Sequence, residues 1–188
     1  VAIEAELKAM VRDPETLLRR LEDRFGAGRA EVYRDTYYDA PDGSLMGEDR
    51  ELRIRTVHGP DETRTVLTYK GARVDEASGS KPEAETRVDD AEAAHEIVRG
   101  LGFVPRIAFE KRCRNYGFEH DGWRLLATLV RVPEIDGTFI ELETIAAAEG
   151  DLPAALAVVR AVFVEFGISE DDLTTEQYTD AVAAARPA

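Results

Sequence analysis

A chain of 188 residues is long enough to enclose a hydrophobic core and falls at the size of a single domain, so residues 1–188 read as one unit. With 44% hydrophobic and 33% charged residues, the composition is neither disordered nor membrane-embedded. The 24 Lys and Arg against 38 Asp and Glu leave a formal net charge of −14, which argues against a surface that neutralises duplex nucleic acid or anionic lipid.

In chain order, Ala2 to Met10 alternates: Ile3, Ala5 and Leu7 fall on one face, Glu4, Glu6 and Lys8 on the other, which is the period of a strand. Asp13-Pro14 then reads as an N-cap followed by proline in the first turn, and Leu17, Leu18, Leu21 and Phe25 recur at helical spacing until Gly26. Strands are predicted over Ala30–Tyr38, Glu51–Val57 and Thr63–Tyr69, with a turn at Pro41-Asp42-Gly43. Residues 71–82 lack periodicity and read as a mobile loop before a short strand at Ala84–Val88. Asp89 or Asp90 caps a second helix ending near Gly100 to Gly102. Three further strands, Arg106–Phe118, Trp123–Val132 and Thr138–Thr144, precede two C-terminal helices at about Leu152–Phe166 and Thr174–Ala184. Seven or eight strands joined mostly by short connections predict an α+β protein built on one antiparallel sheet, closed or strongly curved.

Cys113 is the single cysteine, so no internal disulfide or Cys-based zinc site can form, and His58, His95 and His120 show no metal-ligand spacing. No apolar run reaches the roughly 20 residues that cross a bilayer, and the N-terminal residues lack the order of a signal peptide, so a cytoplasmic location is expected. Only four of the bases are lysines: Lys8, Lys70, Lys81 and Lys111.

Charge on the strands is more informative. Glu4 and Glu6, Arg53 and Arg55, and Glu141 and Glu143 are i,i+2 pairs, each projecting like charges from one face about 7 Å apart. A solvated sheet face is one explanation, but such faces tend to mix signs. The sharper one is a closed sheet with its polar faces turned inward, inverting the usual barrel. Carboxylates there suit Mg²⁺ or Mn²⁺, and guanidinium and ammonium groups suit phosphate oxygens, which together describe a site for a metal-bound polyphosphate.

The residues that carry this pattern also resemble a family. Glu4-Ala5-Glu6-Leu7-Lys8 matches the ExExK signature of the CYTH proteins, or triphosphate tunnel metalloenzymes. It is followed in the family's order by Asp35-Thr36-Tyr37-Tyr38-Asp39, Glu51-Leu52-Arg53-Ile54-Arg55, Leu67-Thr68-Tyr69-Lys70-Gly71, Lys81-Pro82-Glu83-Ala84-Glu85, Lys111-Arg112 and Phe139-Ile140-Glu141-Leu142-Glu143. The resemblance implies an eight-stranded antiparallel tunnel with flanking helices that binds a triphosphate. It makes Glu4, Glu6, Glu141 and Glu143 the metal residues, with Glu83 and Glu85 as further metal or electrostatic partners. It makes Lys8, Arg53, Arg55, Lys70, Lys111, Arg112 and Arg114 phosphate-binding, with Lys81 a weaker candidate, and assigns catalysis to Lys8, Arg112 and Glu141. Mg²⁺ or Mn²⁺ is the implied cofactor, and a triphosphate-containing small molecule the implied partner of a monomer or homodimer.

Three positions depart from the family pattern. In Leu129-Val130-Arg131-Val132-Pro133, Val130 stands where an aspartate is usual, leaving either a substitute in Asp136 or a lost metal ligand. Strand alternation puts Lys111 and Cys113 on one face and Arg112 and Arg114 on the other, so only one pair points inward unless a bulge intervenes. Glu176 precedes Tyr178 in a stretch where relatives carry a basic residue. The expected activity is metal-dependent hydrolysis of a nucleoside or organic triphosphate or of tripolyphosphate. The alternatives are an adenylyl cyclase of class IV, or a tunnel that binds a phosphorylated ligand without turnover.

Overall fold

Strands with one polar and one apolar face close into a single antiparallel barrel in the computed structural model, which describes residues 2–187. They are β1 (Ile3–Met10), β2 (Arg29–Asp39), β3 (Glu51–His58), β4 (Thr63–Lys70), β5 (Lys81–Val88), β6 (Val104–His120), β7 (Trp123–Arg131) and β8 (Phe139–Ala146). Around the barrel the order is β1-β5-β4-β3-β2-β6-β7-β8, the closed eight-stranded α+β architecture expected from the sequence. Closure is uneven: β1 pairs with β8 over eight residues but with β5 over only two, Ile3 opposite Pro82 and Glu4 opposite Lys81.

The barrel is inverted because its apolar faces have helices to cover them. Helix α1 (Pro14–Phe25) is capped by the Asp13 carboxylate, which accepts from the Thr16 amide, and buries Leu17 and Leu21. Helix α4 (Leu152–Phe166) is apolar nearly all round and lies on β1, β8 and β7. Leu7, Ala9, Ile140 and Leu142 on the outer barrel wall are buried with Val159, Val162 and Phe163 of α4. Burial of each large side chain there is worth about 1.5–3 kcal/mol, enough to decide which face of β1 turns outward. On the opposite side α3 (Ala91–Gly100), capped by Asp90, packs Ala94 and Val98 onto Tyr38 and Ile54.

The chain departs from the sequence reading at both segments that cross one barrel end. Strand β5 begins at Lys81, not Ala84, so Lys81 and Pro82 pair with β1 and leave the loop shorter. Residues 71–80 form a hydrogen-bonded turn pinned by Arg73, whose Nε and Nη2 donate to the Asp49 carboxylate at 2.6 and 2.8 Å. The last helix, α5 (Tyr178–Ala185), starts four residues later than its periodicity suggests. Before it, residues 173–177 run as a strap: Leu173 bridges to Ala9, and the Thr174 amide donates to the Lys8 carbonyl at 2.9 Å. A four-residue helix, α2 (Ser44–Gly47), was not expected; it follows Asp39, whose carboxylate accepts from the Leu45 amide at 2.8 Å. Inside the barrel, Tyr33, Tyr37, Phe109, Cys113, Val130 and Phe139 join Tyr178 and Val182 of α5 in an apolar cluster.

Candidate active site

Pairing of β1 with β8 sets Glu6 directly opposite Glu143 and Lys8 opposite Glu141, so two inward faces of alternating charge meet across one ladder. Glu4, Glu6 and Glu143 each offer an oxygen to a group in which all lie within 4.8 Å of one another. They line a cavity of about 260 Å³ that also receives Lys8, Arg53, Arg55, Lys70, Lys81, Lys111 and Glu141. Three carboxylates this close repel. Burial, with Glu141 and Glu4 nearby, pushes Glu6 up to about 7, and burial with Glu4 and Glu6 nearby pushes Glu143 well above the usual range. An all-oxygen, anion-rich set of this kind is the chemistry that hard divalent cations take, so the residues present fit Mg²⁺ or Mn²⁺. Glu141 differs: burial would raise it, but Lys111 and Lys8 outweigh burial and hold it at about 2.

The cations are not equally free. Arg55 is committed to β2: its Nε and Nη2 donate to Asp35 at 2.6 and 2.7 Å, and it lies 4.5 Å from the Tyr33 ring centroid. Lys81 donates to Glu51 at 2.7 Å and to the Asp49 carbonyl at 2.9 Å, which ties β5 to β3 and to the turn before it. Lys70 bridges Glu4 and, at 3.2 Å, Glu83, so it acts as counter-ion to the carboxylate cluster. Lys111 is 3.3 Å from Glu141. Arg53 donates through Nη2 to Thr68 at 3.2 Å, and its buried Nε has no partner. The guanidinium lines the cavity, and a planar cation there suits an incoming anion. Lys8 donates to the carbonyl of Glu176 in the strap, and burial lowers its ammonium pKa.

Two predicted site residues lie elsewhere. Arg112 and Arg114 alternate with Lys111 and Cys113 on β6, and no bulge separates them from the inward pair: the register shift in β2 falls at Tyr37/Tyr38, away from them. The Arg112 side chain is 67% exposed and pairs with Glu110, and Arg114 reaches out to Glu22 on α1 at 2.9 Å. Neither lines the cavity, which corrects the catalytic assignment of Arg112 and the phosphate-binding assignment of both. Asp136 is exposed in the β7–β8 turn and does not replace the carboxylate absent at position 130. Val130 is fully buried in the interior apolar cluster, opposite Cys113 in β6 and Phe139 in β8. Burial pushes the Cys113 thiol up to about 12, so it sits as an inert packing residue. Sequence reasoning missed Tyr178, which lies against both Lys8 and Lys111; its position four residues past the expected helix start hid its inward face.

With the fold and the tunnel in place, comparison with known proteins defines the class. Residues 2–178 match the CYTH domain, and the chain belongs to that family, whose members are metal-dependent. A Methanocaldococcus jannaschii protein, named provisionally as an adenylate cyclase, is 26% identical over 95% of this chain and 97% of its own. A solved Pyrococcus horikoshii OT3 protein is 27% identical, covers 97% of this chain and 99% of its own, and superposes with a TM-score of 0.85. A Hippeastrum protein, described as an adenylyl cyclase candidate with a dominant triphosphatase activity, shares the fold at 17% identity and a TM-score of 0.66, covering 100% of this chain and 98% of its own.

Proposed function

We propose that the protein hydrolyses a nucleoside triphosphate, an organic triphosphate or tripolyphosphate with the help of a divalent metal. The observation that carries this reading is the meeting, in one cavity, of the Glu4/Glu6/Glu143 carboxylates with Arg53, Lys70, Lys111 and Lys8. Glu4, Glu6 and Glu143 would hold Mg²⁺ or Mn²⁺, with Glu141 beside them; when bound, such an ion neutralises phosphate oxygens and polarises the reacting phosphorus. Arg53 binds a phosphate oxygen through the edge of its guanidinium that lines the cavity, and Lys111 and Lys8 supply point charges on the other wall. Arg55 keeps its charge but acts through Asp35, as part of the wall. Glu141, held ionised by the two lysines, fixes the Lys111 ammonium group toward the cavity.

Charged side chains make up more than half of the cavity lining, which favours a polyanion inside and any larger organic group toward the mouth of the tunnel. Cyclisation of ATP is the second reading, favoured by the provisional name of the Methanocaldococcus relative. It needs the ribose 3′-hydroxyl delivered to the α-phosphorus, and so an ordered nucleoside site. Incubation with ATP, thiamine triphosphate and tripolyphosphate, in Mg²⁺ and in Mn²⁺, scored for phosphate and for cyclic AMP, separates the readings. Phosphate release without cyclic AMP is expected. Cyclic AMP with pyrophosphate would install the cyclase instead, and binding without turnover of any of the three would remove the enzyme assignment for these substrates.

A further inference from the structure

Tyr178 opens α5 where the strap 173–177 ends, and its ring is approached by two ammonium groups at once. Lys8 Nζ lies 4.3 Å and Lys111 Nζ 4.2 Å from the ring centroid. The side chain is buried, and its hydroxyl, also buried, has no hydrogen-bond partner although Glu141 is nearby. Two like charges would separate if nothing held them. Lys111 has Glu141 as an ion-pair partner; Lys8 feels the charges of Glu141 and Glu6, but among the described residues no carboxylate pairs with it directly, and its direct contacts are the strap carbonyl of Glu176 and this ring. An aromatic face attracts cations through its quadrupole while carrying no net charge. It can therefore fix an ammonium group and leave its charge available to an anion, which a carboxylate in the same place would cancel.

We propose that the Tyr178 ring is a positioning element that sets the Lys8 and Lys111 ammonium groups together as a two-point seat for one phosphoryl group of the bound anion. The strap and α5 thereby contribute to binding as well as closing the barrel end. This rests on the reading of the tunnel as a polyphosphate site. The hydroxyl lies beside Glu141 without a well-formed hydrogen bond, so Tyr178→Phe keeps the ring and removes only that weak contact, whereas Tyr178→Leu removes the ring but keeps an apolar filler.

Two measurements on the full chain test this: calorimetric affinity for tripolyphosphate without metal, and NMR of the lysine side-chain methylenes in the unliganded protein, which a neighbouring ring shifts upfield. Wild type and Tyr178→Phe should both show two ring-shifted lysines and affinities within about threefold of each other. Tyr178→Leu should lose both shifts and bind about tenfold more weakly. The proposal is overturned by unshifted lysines in the wild type, by Tyr178→Leu binding as tightly as wild type, or by Tyr178→Phe losing as much affinity as Tyr178→Leu, which would assign the effect to the hydroxyl. Should Tyr178→Leu not fold, the wild-type lysine shifts and the Phe variant still decide. Wild-type protein that shows the shifts but binds no tripolyphosphate would retain the ring's role and sink the triphosphate reading instead.

Discussion

Val130 and Arg53 occupy the two kinds of environment that the barrel interior offers. Val130 pairs with Cys113 and Phe139 and is sealed by Tyr178 and Val182. Leu126, four residues earlier on β7, is the partner of Glu143, so about 13 Å of strand separates position 130 from the register of the carboxylate cluster. An aspartate at 130 would be desolvated among apolar groups and too far along the strand to join Glu4, Glu6 and Glu143. Val130→Asp should lower stability in chemical denaturation by about 2–4 kcal/mol and raise neither metal affinity nor turnover. A clear gain in turnover would show that the position is a vacant ligand site after all. Arg53 presents the opposite case, a buried cation that lines the cavity. Arg53→Lys preserves the charge but loses the fork, and affinity for tripolyphosphate should fall about tenfold with the melting temperature nearly unchanged. Equal affinity in the two proteins would take Arg53 out of the phosphate site.

At the level of elements, β2 and β3 are joined by more than their ladder. Asp35 and Arg55 face each other in register and form a buried bidentate pair. Burial alone would raise the Asp35 carboxyl; Arg55, supported by Arg53 and Lys111, outweighs burial and holds it at about 2. A carboxyl depressed in the folded state stabilises fully above its unfolded value and loses that contribution as pH falls through the folded one. The window is therefore about pH 4 down to 2, and the contribution is about 2 kcal/mol. Wild-type stability should fall in that window. Asp35→Asn, which leaves Arg55 uncompensated, should be weaker by about 3–5 kcal/mol at neutral pH and show a flatter acid limb. Parallel acid limbs for the two proteins, followed by thermal melts from pH 5 to 2, would mean that the pair contributes nothing. The strands bearing these residues were legible because period-2 charge on β1, β3 and β8 is a local pattern. Where Lys81-Pro82 joins the sheet was not, since a stretch rich in Gly, Ser and Pro reads as loop until β1 supplies a partner. The side to which Arg112 points was undecided for a related reason: alternation fixes which residues share a face, and only the packing of α1 and α5 against β6 decides which face is inside. The three-carboxylate cluster depends on Glu6 and Glu143 meeting across a ladder between the first and last strands, a contact that no local signal carries.

For the molecule as a whole, the cavity separates two charge populations. All four lysines line it, and with Arg53, Arg55, Arg64 and Arg73 they make eight bases against the seven acids Glu4, Glu6, Glu51, Glu83, Glu85, Glu141 and Glu143. Counted as formal charges the lining is +1, and more positive where Glu143 and part of Glu6 hold a proton, while the remainder of a chain whose formal total is −14 carries −15. Exclusion of phosphate partners by net charge therefore applies to the outer surface alone. That surface still acts on any polyanion that approaches. The Debye length is about 30 Å at 10 mM salt and about 10 Å at 100 mM, so at low salt the outer field repels the ligand across most of its path, and at moderate salt it does not. Contacts inside the tunnel are buried and screened far less. Association and dissociation should then respond differently. Stopped-flow measurement with tripolyphosphate should show the association rate rising as salt increases from about 10 to 100 mM, the reverse of electrostatic steering. Mg²⁺ in solution should produce the same rise at lower ionic strength, because it reduces the charge of the ligand before entry. An association rate that falls with salt would mean that the positive residues in the tunnel project their field beyond the mouth and dominate the approach, and that the acidic exterior exerts no control over entry.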